Sequence, residues 1–169
     1  LSVPDGTRLG RPVLDWAAPL FRSLTALVCP CLAAACRKDE VALPPRGVFD
    51  RTRLSRASLS WRFGGASGPI VRSPSAEQLR GLRIGDFAII TPPPAKNDQF
   101  GETFGAHPIW LPYHPTEPTN AAAALADLEI HVPVPAPQRR SVPLFTHDGS
   151  SPITHSEIDN ILQRLLLLL

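Results

Sequence analysis

Apolar positions recur at helical spacing between Asp15 and Val41, at Trp16, Leu20, Leu24, Leu27, Val28, Leu32 and Ala35. The spacing predicts a helix with Pro19 in its first turn and a kink or split near Cys29, because Pro30 removes a backbone donor. Pro44-Pro45 stops any helix. Ala57–Phe63 alternates and predicts a strand, Gly64–Pro74 a loop, and Ser75–Leu82 a short helix. Asp86–Thr91 predicts a short buried strand that Pro92-Pro93-Pro94 ends. A polar tip, Ala95–Gly105, separates it from a third strand at His107–Leu111, so the two strands form a hairpin with a long connection. Thr119 or Asn120 can cap a helix running to about His131. A Pro-rich connector, Val132–Pro143, follows. Thr154-His155-Ser156-Glu157 is a capping box. Behind it, Ile158, Ile161, Leu162, Leu165 and Leu166 mark one face of an amphipathic helix. The terminal leucines then erase that pattern, as expected where the chain should meet a partner segment. The fold class expected is α+β, mainly helical, with a small three-stranded antiparallel sheet. Residues 1–14 are expected to be a loose N-terminal segment and 15–169 one domain.

Composition narrows this picture. Of 169 residues 43% are apolar, enough for a core and against wholesale disorder. Twenty prolines, against a usual level of roughly 5%, argue against an all-helical bundle. The net charge of +2 is split. Residues 1–85 hold 13 basic and 6 acidic residues, whereas 86–169 hold 4 basic and 9 acidic. The basic first half suits a polyanionic partner. Arg46, Arg51, Arg53, Arg56 and Arg62 cluster there against a single Asp50, as candidates for phosphate contact. Cys29, Cys31 and Cys36 do not form a secreted disulfide framework, and an intracellular, reducing compartment fits them better. No apolar signal segment opens the sequence, and Ser23–Cys36 is the longest uncharged run, with 14 residues against the roughly 20 of a membrane span. No membrane partner is expected.

Candidate chemistry is sparse. Arg37-x-x-Glu40 follows the first helix. As a bare spacing it reads as a surface ion pair, and functionally as an arginine oriented by Glu40 to grip a phosphate with two parallel hydrogen bonds. Lys96 stands at the hairpin tip, either simply solvated or reaching for a DNA groove or a leaving oxygen as general acid. The five histidines form no H-x-x-x-H or H-E-x-x-H, and C-x-C-x4-C lacks a second ligand pair, so the cysteines read as small packing residues rather than zinc ligands. Walker A, G-x-G-x-x-G and G-x-S-x-G motifs are absent from the sequence. No cofactor is expected.

Taken in order, these pieces resemble the tyrosine recombinase (phage integrase-like) catalytic domain, in the divergent form found in eukaryotic mobile elements. Leu32–Leu43 resembles the family's first box, in which a helix leads to R-x-x-E. Phe49-Asp50 and Leu59–Phe63 resemble the segment entering its small sheet. Pro92–Gly101 resembles its lysine-bearing hairpin, and Pro143–Phe145 with Pro152–Thr154 the stretch before its second box. The resemblance spans about Trp16 to Leu165. It implies site-specific DNA recombination or integration in the nucleus, with double-stranded DNA and other recombinase protomers as partners. It also implies roles: Arg37 as the first catalytic arginine, Glu40 as its support, and Lys96 as the general acid. The family's H-x-x-R box and downstream tyrosine have no counterpart here. No histidine is followed three residues later by Arg, and the only tyrosine, Tyr113, lies upstream of where a nucleophile belongs. The expectation is therefore a C-terminally truncated fragment that does not cleave DNA by itself and leaves the Ile158–Leu166 face uncovered. The alternative, on composition and the proline run, is a proline-rich interaction module without enzymatic chemistry.

Overall fold

A computed structural model describes residues 17–34, 41–43, 47–50, 52–93 and 108–166. Four helices and four strands are assigned: α1 (Pro19–Ala34), β1 (Leu59–Arg62), β2 (Ile70–Val71), α2 (Ala76–Arg80), β3 (Phe87–Ile90), β4 (Ile109–Pro112), α3 (Ala121–His131) and α4 (His155–Leu166). The strands form one antiparallel sheet in the order β2-β1-β3-β4. The expected α+β class stands, with a fourth strand added. The segment read as a loop over 64–74 contains β2. Two residues are too few to alternate visibly, and the glycines around them mask the signal. Gly64 and Gly65 turn the chain at φ 81° and 83°, conformations that favour glycine. At Gly68 a Cβ would lie 1.6 Å from the Phe63 carbonyl oxygen, so the chain can double back onto β1 only with no side chain there. The expected loose segment 1–14 lies outside the described residues.

Strand alternation sets which face is buried. Leu59 and Trp61 of β1, Ala88 and Ile90 of β3, and Leu111 of β4 point into one core with α1 and α3. On α1 Leu24 and Leu27 of the expected stripe are buried and Leu20 packs against the core, whereas Val28 and Leu32 are 41% and 69% exposed. Ser23, Ala26 and Pro30 are buried beside the leucines, small residues on a helix that packs on α3, which offers Ala122 and Ala126. Two backbones can approach closely where neither carries a bulky side chain. Pro30 does not break the helix assignment, which runs through it. Arg22 ties the pair at its edge through an ion pair with Asp127 and a 2.9 Å hydrogen bond to His131 Nδ1.

Caps fix the other elements. Asn120 accepts from the Ala123 amide at 2.6 Å and donates to the Pro112 carbonyl at 3.3 Å, so the same side chain starts α3 and ties it to β4. Thr154 and Glu157 form the expected capping box: the Thr154 amide donates to Glu157 at 2.8 Å, and the Glu157 amide to the Thr154 hydroxyl at 3.3 Å. Ile158 is buried and Ile161 packs against the core, so the start of the α4 apolar face is covered. The side chains of Leu162, Leu165 and Leu166 lie outside the described residues.

The loop before α4 is organised by Asp148. Its carboxylate accepts from the amides of Ser150 and Ser151 at 2.9 and 2.6 Å and from both serine hydroxyls. These bonds hold the carboxyl well below the usual carboxylate range. A depressed folded value means that this contribution is complete above the unfolded value, near pH 4, and is lost as pH falls through the folded one. A carbon-13 titration of the Asp148 carboxyl is expected to show its midpoint clearly below that of the unfolded chain, with the amide shifts of Ser150 and Ser151 following the same curve.

Asn120→Ala is expected to cost about 1 kcal/mol or more in urea unfolding, since it removes a cap and the link to Pro112 together. Gly68→Ala is expected to cost more than the Asn120 change, because the clash is with backbone.

Candidate nucleic-acid interface

The strand register determines where the lysine-bearing segment lies in the topology. Ile90 pairs with Ile109, so residues 91–108 connect two adjacent antiparallel strands. Lys96 belongs to that connection and itself lies outside the described residues. Arg37 and Glu40 fall within 35–40, between the end of α1 and Val41–Leu43, and also lie outside them, as do Arg46 and Arg51.

The chain on the far side of Glu40 is firmly held. The Leu43 amide donates to the Ile153 carbonyl at 3.0 Å, and the His155 amide to the Leu43 carbonyl at 2.8 Å. Leu43 and Thr154 form a parallel bridge. Ala42 and Leu43 are buried. The segment after Glu40 is thus docked onto the start of α4, more than a hundred residues later.

Three of the five arginines assigned to phosphate contact are described, and they do not share a surface. Arg53 is half-buried beside Phe49 and Leu54, at a cavity of about 10 Å³, room for one water. Arg56 corrects the expectation outright: it is 0% exposed and unavailable to a DNA backbone. Its Nη1 donates to Glu129 Oε1 at 3.0 Å. Arg139, 4% exposed, grips the same carboxylate with Nη1 to Oε2 at 2.7 Å and Nη2 to Oε1 at 3.2 Å, and Nη2 also donates to the Arg56 carbonyl at 2.9 Å. Burial pushes the Arg56 guanidinium down from its ordinary value, and Glu129 opposes that shift.

This buried cluster was missed although half its signal is plain. Glu129 falls four residues after Leu125 and seven after Ala122, on the core-facing side of α3. A carboxylate at such a position requires a buried cation. Nothing in the spacing says that Arg56 and Arg139 supply it.

Arg62 sits on the opposite side of the sheet, at the surface. Its guanidinium carbon lies 4.7 Å from the centre of the Trp110 ring, and its Nη1 donates to the Ala66 carbonyl. Trp110 meets Phe87 edge-on, with centroids 5.6 Å apart and planes at 77°. Trp110 is another residue that the sequence reading left without a role. The alternation of Ile109–Pro112 was enough to put it on the outer face.

Other chemistry is limited. Cys29 lies against a cavity of about 270 Å³ with Leu32, Pro112, Glu117 and Asn120, and burial raises its thiol, which keeps it protonated and unreactive at neutral pH. Among the described residues no three His, Cys, Asp or Glu side chains converge as a metal site. Among them, too, no helix is long and apolar enough to cross a membrane. Tyr113 follows β4 and packs against the core, its amide donating to the Asp86 carbonyl at 2.9 Å. No family model, curated protein or solved structure matches the chain.

Glu129→Ala is expected to destabilise the fold by about 3–5 kcal/mol, because two buried guanidiniums lose their counter-charge. Urea unfolding at neutral pH measures this, with Arg62→Ala, which lies at the surface, as the comparison.

Proposed function

We propose that this chain is part of a DNA breaking-and-rejoining protein of the tyrosine recombinase kind, supplying the front half of its catalytic site. The observation that carries the reading is the order of parts within one α+β unit. A helix leads to Arg37-x-x-Glu40, the next segment enters an antiparallel sheet, and the connection bearing Lys96 links two adjacent strands of that sheet. A capped helix then follows, at the point that precedes the expected second box.

In this reading Arg37 donates hydrogen bonds to the non-bridging oxygens of the scissile phosphate. Those oxygens carry most charge when phosphorus is five-coordinate, so a fixed guanidinium stabilises the transition state more than the ground state. Glu40 orients Arg37. Lys96 gives its proton to the 5′-oxygen as the P–O5′ bond breaks and the tyrosyl O–P bond forms. The attacking tyrosine is not Tyr113, which serves the fold. The chain of 169 residues therefore binds DNA but does not cut it. Arg46, Arg51, Arg53 and Arg62 are the basic-segment residues left for DNA contact once Arg56 is assigned to the interior. Three phosphate contacts drawn from these four arginines predict a slope of about −3 for log affinity against log salt.

Duplex binding measured by anisotropy between about 50 and 200 mM salt tests the reading. The expected result is a loss of roughly fiftyfold over that range, with no covalent adduct on a nicked substrate. Absence of duplex binding at low salt overturns the DNA reading in favour of a proline-rich interaction module. An adduct through Tyr113 overturns the assignment of the nucleophile elsewhere.

A further inference from the structure

We infer that the outer face of the sheet is a stacking platform for the unpaired bases of a DNA strand, built on Arg62 and Trp110. The inference rests on the DNA reading above and extends it from phosphates to bases.

Register defines the platform. Ile70, Arg62, Phe87 and Pro112 form one cross-strand row, and Ser60, Ile89 and Trp110 the next. Their neighbours along each strand, Leu59, Trp61, Ala88 and Leu111, all enter the core, so these two rows point the other way. Ile89 is buried yet is not part of that core cluster. Trp110 and Ile70 are 40% and 51% exposed, at opposite edges of the sheet.

The arrangement is already a stack. The guanidinium of Arg62 lies over the indole, and its bond to the Ala66 carbonyl fixes its plane. Phe87, edge-on, props the indole from the next strand. A nucleobase extends this stack on the guanidinium or on the free part of the indole, and little side-chain entropy is lost because both groups are held beforehand. Arg62 Nε is buried and has no hydrogen-bond partner among the described residues. The carboxylate of Asp86 is engaged by the turn, accepting from the amides of Gly64 and Arg83 at 2.7 and 2.8 Å, and keeps its negative charge. Exposed Arg72 follows β2 directly, and the half of the chain that supplies β1 and β2 carries the basic excess.

Charge selects a polyanion, and the flat cation–aromatic pair selects one with exposed π-faces. Paired bases hide those faces inside the duplex, so an unpaired strand fits this surface and a duplex does not. Strand exchange, in the reading above, creates such bases.

The test uses the full chain, an oligothymidylate of about twenty nucleotides and a duplex of equal length, with affinities from anisotropy. Trp110→Ala is expected to weaken single-strand binding by about tenfold to a hundredfold, the value of one base stack, and to leave duplex binding unchanged. Trp110→Phe, which keeps a ring, is expected to retain most of the affinity. Single-strand binding should also quench indole emission, and that quench should be missing from Trp110→Phe; it serves alone if Trp110→Ala fails to fold. Unchanged single-strand affinity in Trp110→Ala together with an unchanged quench in Trp110→Phe overturns the platform, whether another segment of the chain covers the face or the strand binds elsewhere. Binding of duplex without single strand overturns the platform and leaves the DNA reading standing. Binding of neither overturns both.

Discussion

Glu129 holds two guanidiniums inside the protein, and the fold is arranged around that fact. Arg56 belongs to the turn that enters β1, Glu129 to α3, and Arg139 to the connector that leaves it. Each is buried, and a lone charge at that depth is strongly unfavourable. The cluster therefore fixes three segments relative to one another by necessity. The backbone repeats the link, with the Ala57 amide on the Arg139 carbonyl and the Arg56 amide on the Val142 carbonyl, both at 3.0 Å. Arg56 Nε and Nη2 and Arg139 Nε have no partner among the described residues, so the interior gives up some stability to keep this geometry.

The same cluster divides the basic segment by task. A run of arginines looks uniform along the chain, yet its members face different surroundings. Arg56 enters the interior because the turn before β1 points it there. Arg62 emerges on the outer face because strand alternation reverses direction between Trp61 and Arg62. The sheet thus has a structural side, filled by Trp61 and the helices, and a chemical side, where an arginine and two aromatic rings meet.

Much of the architecture was legible where one local rule acts alone. The capping box at Thr154, the cap at Asn120, and the strands at β1 and β3 follow from neighbours in sequence. Tertiary context decided the rest. Leu24 and Leu27 of the helical stripe are buried as their spacing predicts, but Val28 and Leu32 are left outside and Ser23 and Ala26 are buried in their place. β2 is held only by its pairing with β1, and nothing in two residues announces that. For the site, residue type alone marked Arg56 as a phosphate ligand, whereas its partners lie 73 and 83 residues away. Arg37, Glu40 and Lys96 lie outside the described residues, with described segments on either side.

The docking of Val41–Leu43 onto Ile153–His155 has a consequence in time. During synthesis, Leu43 leaves the ribosome more than a hundred residues ahead of the backbone groups that will bind it. Until then α1 and the chain after it can form only provisional structure, with Ala42 and Leu43 open to solvent or to chaperones. A contact of such long sequence separation must also wait for loop closure, which slows folding. Val41–Leu43, translated early, is therefore among the last segments to become fixed, and arrest of translation anywhere before α4 would release a protein in which it never acquires its partner.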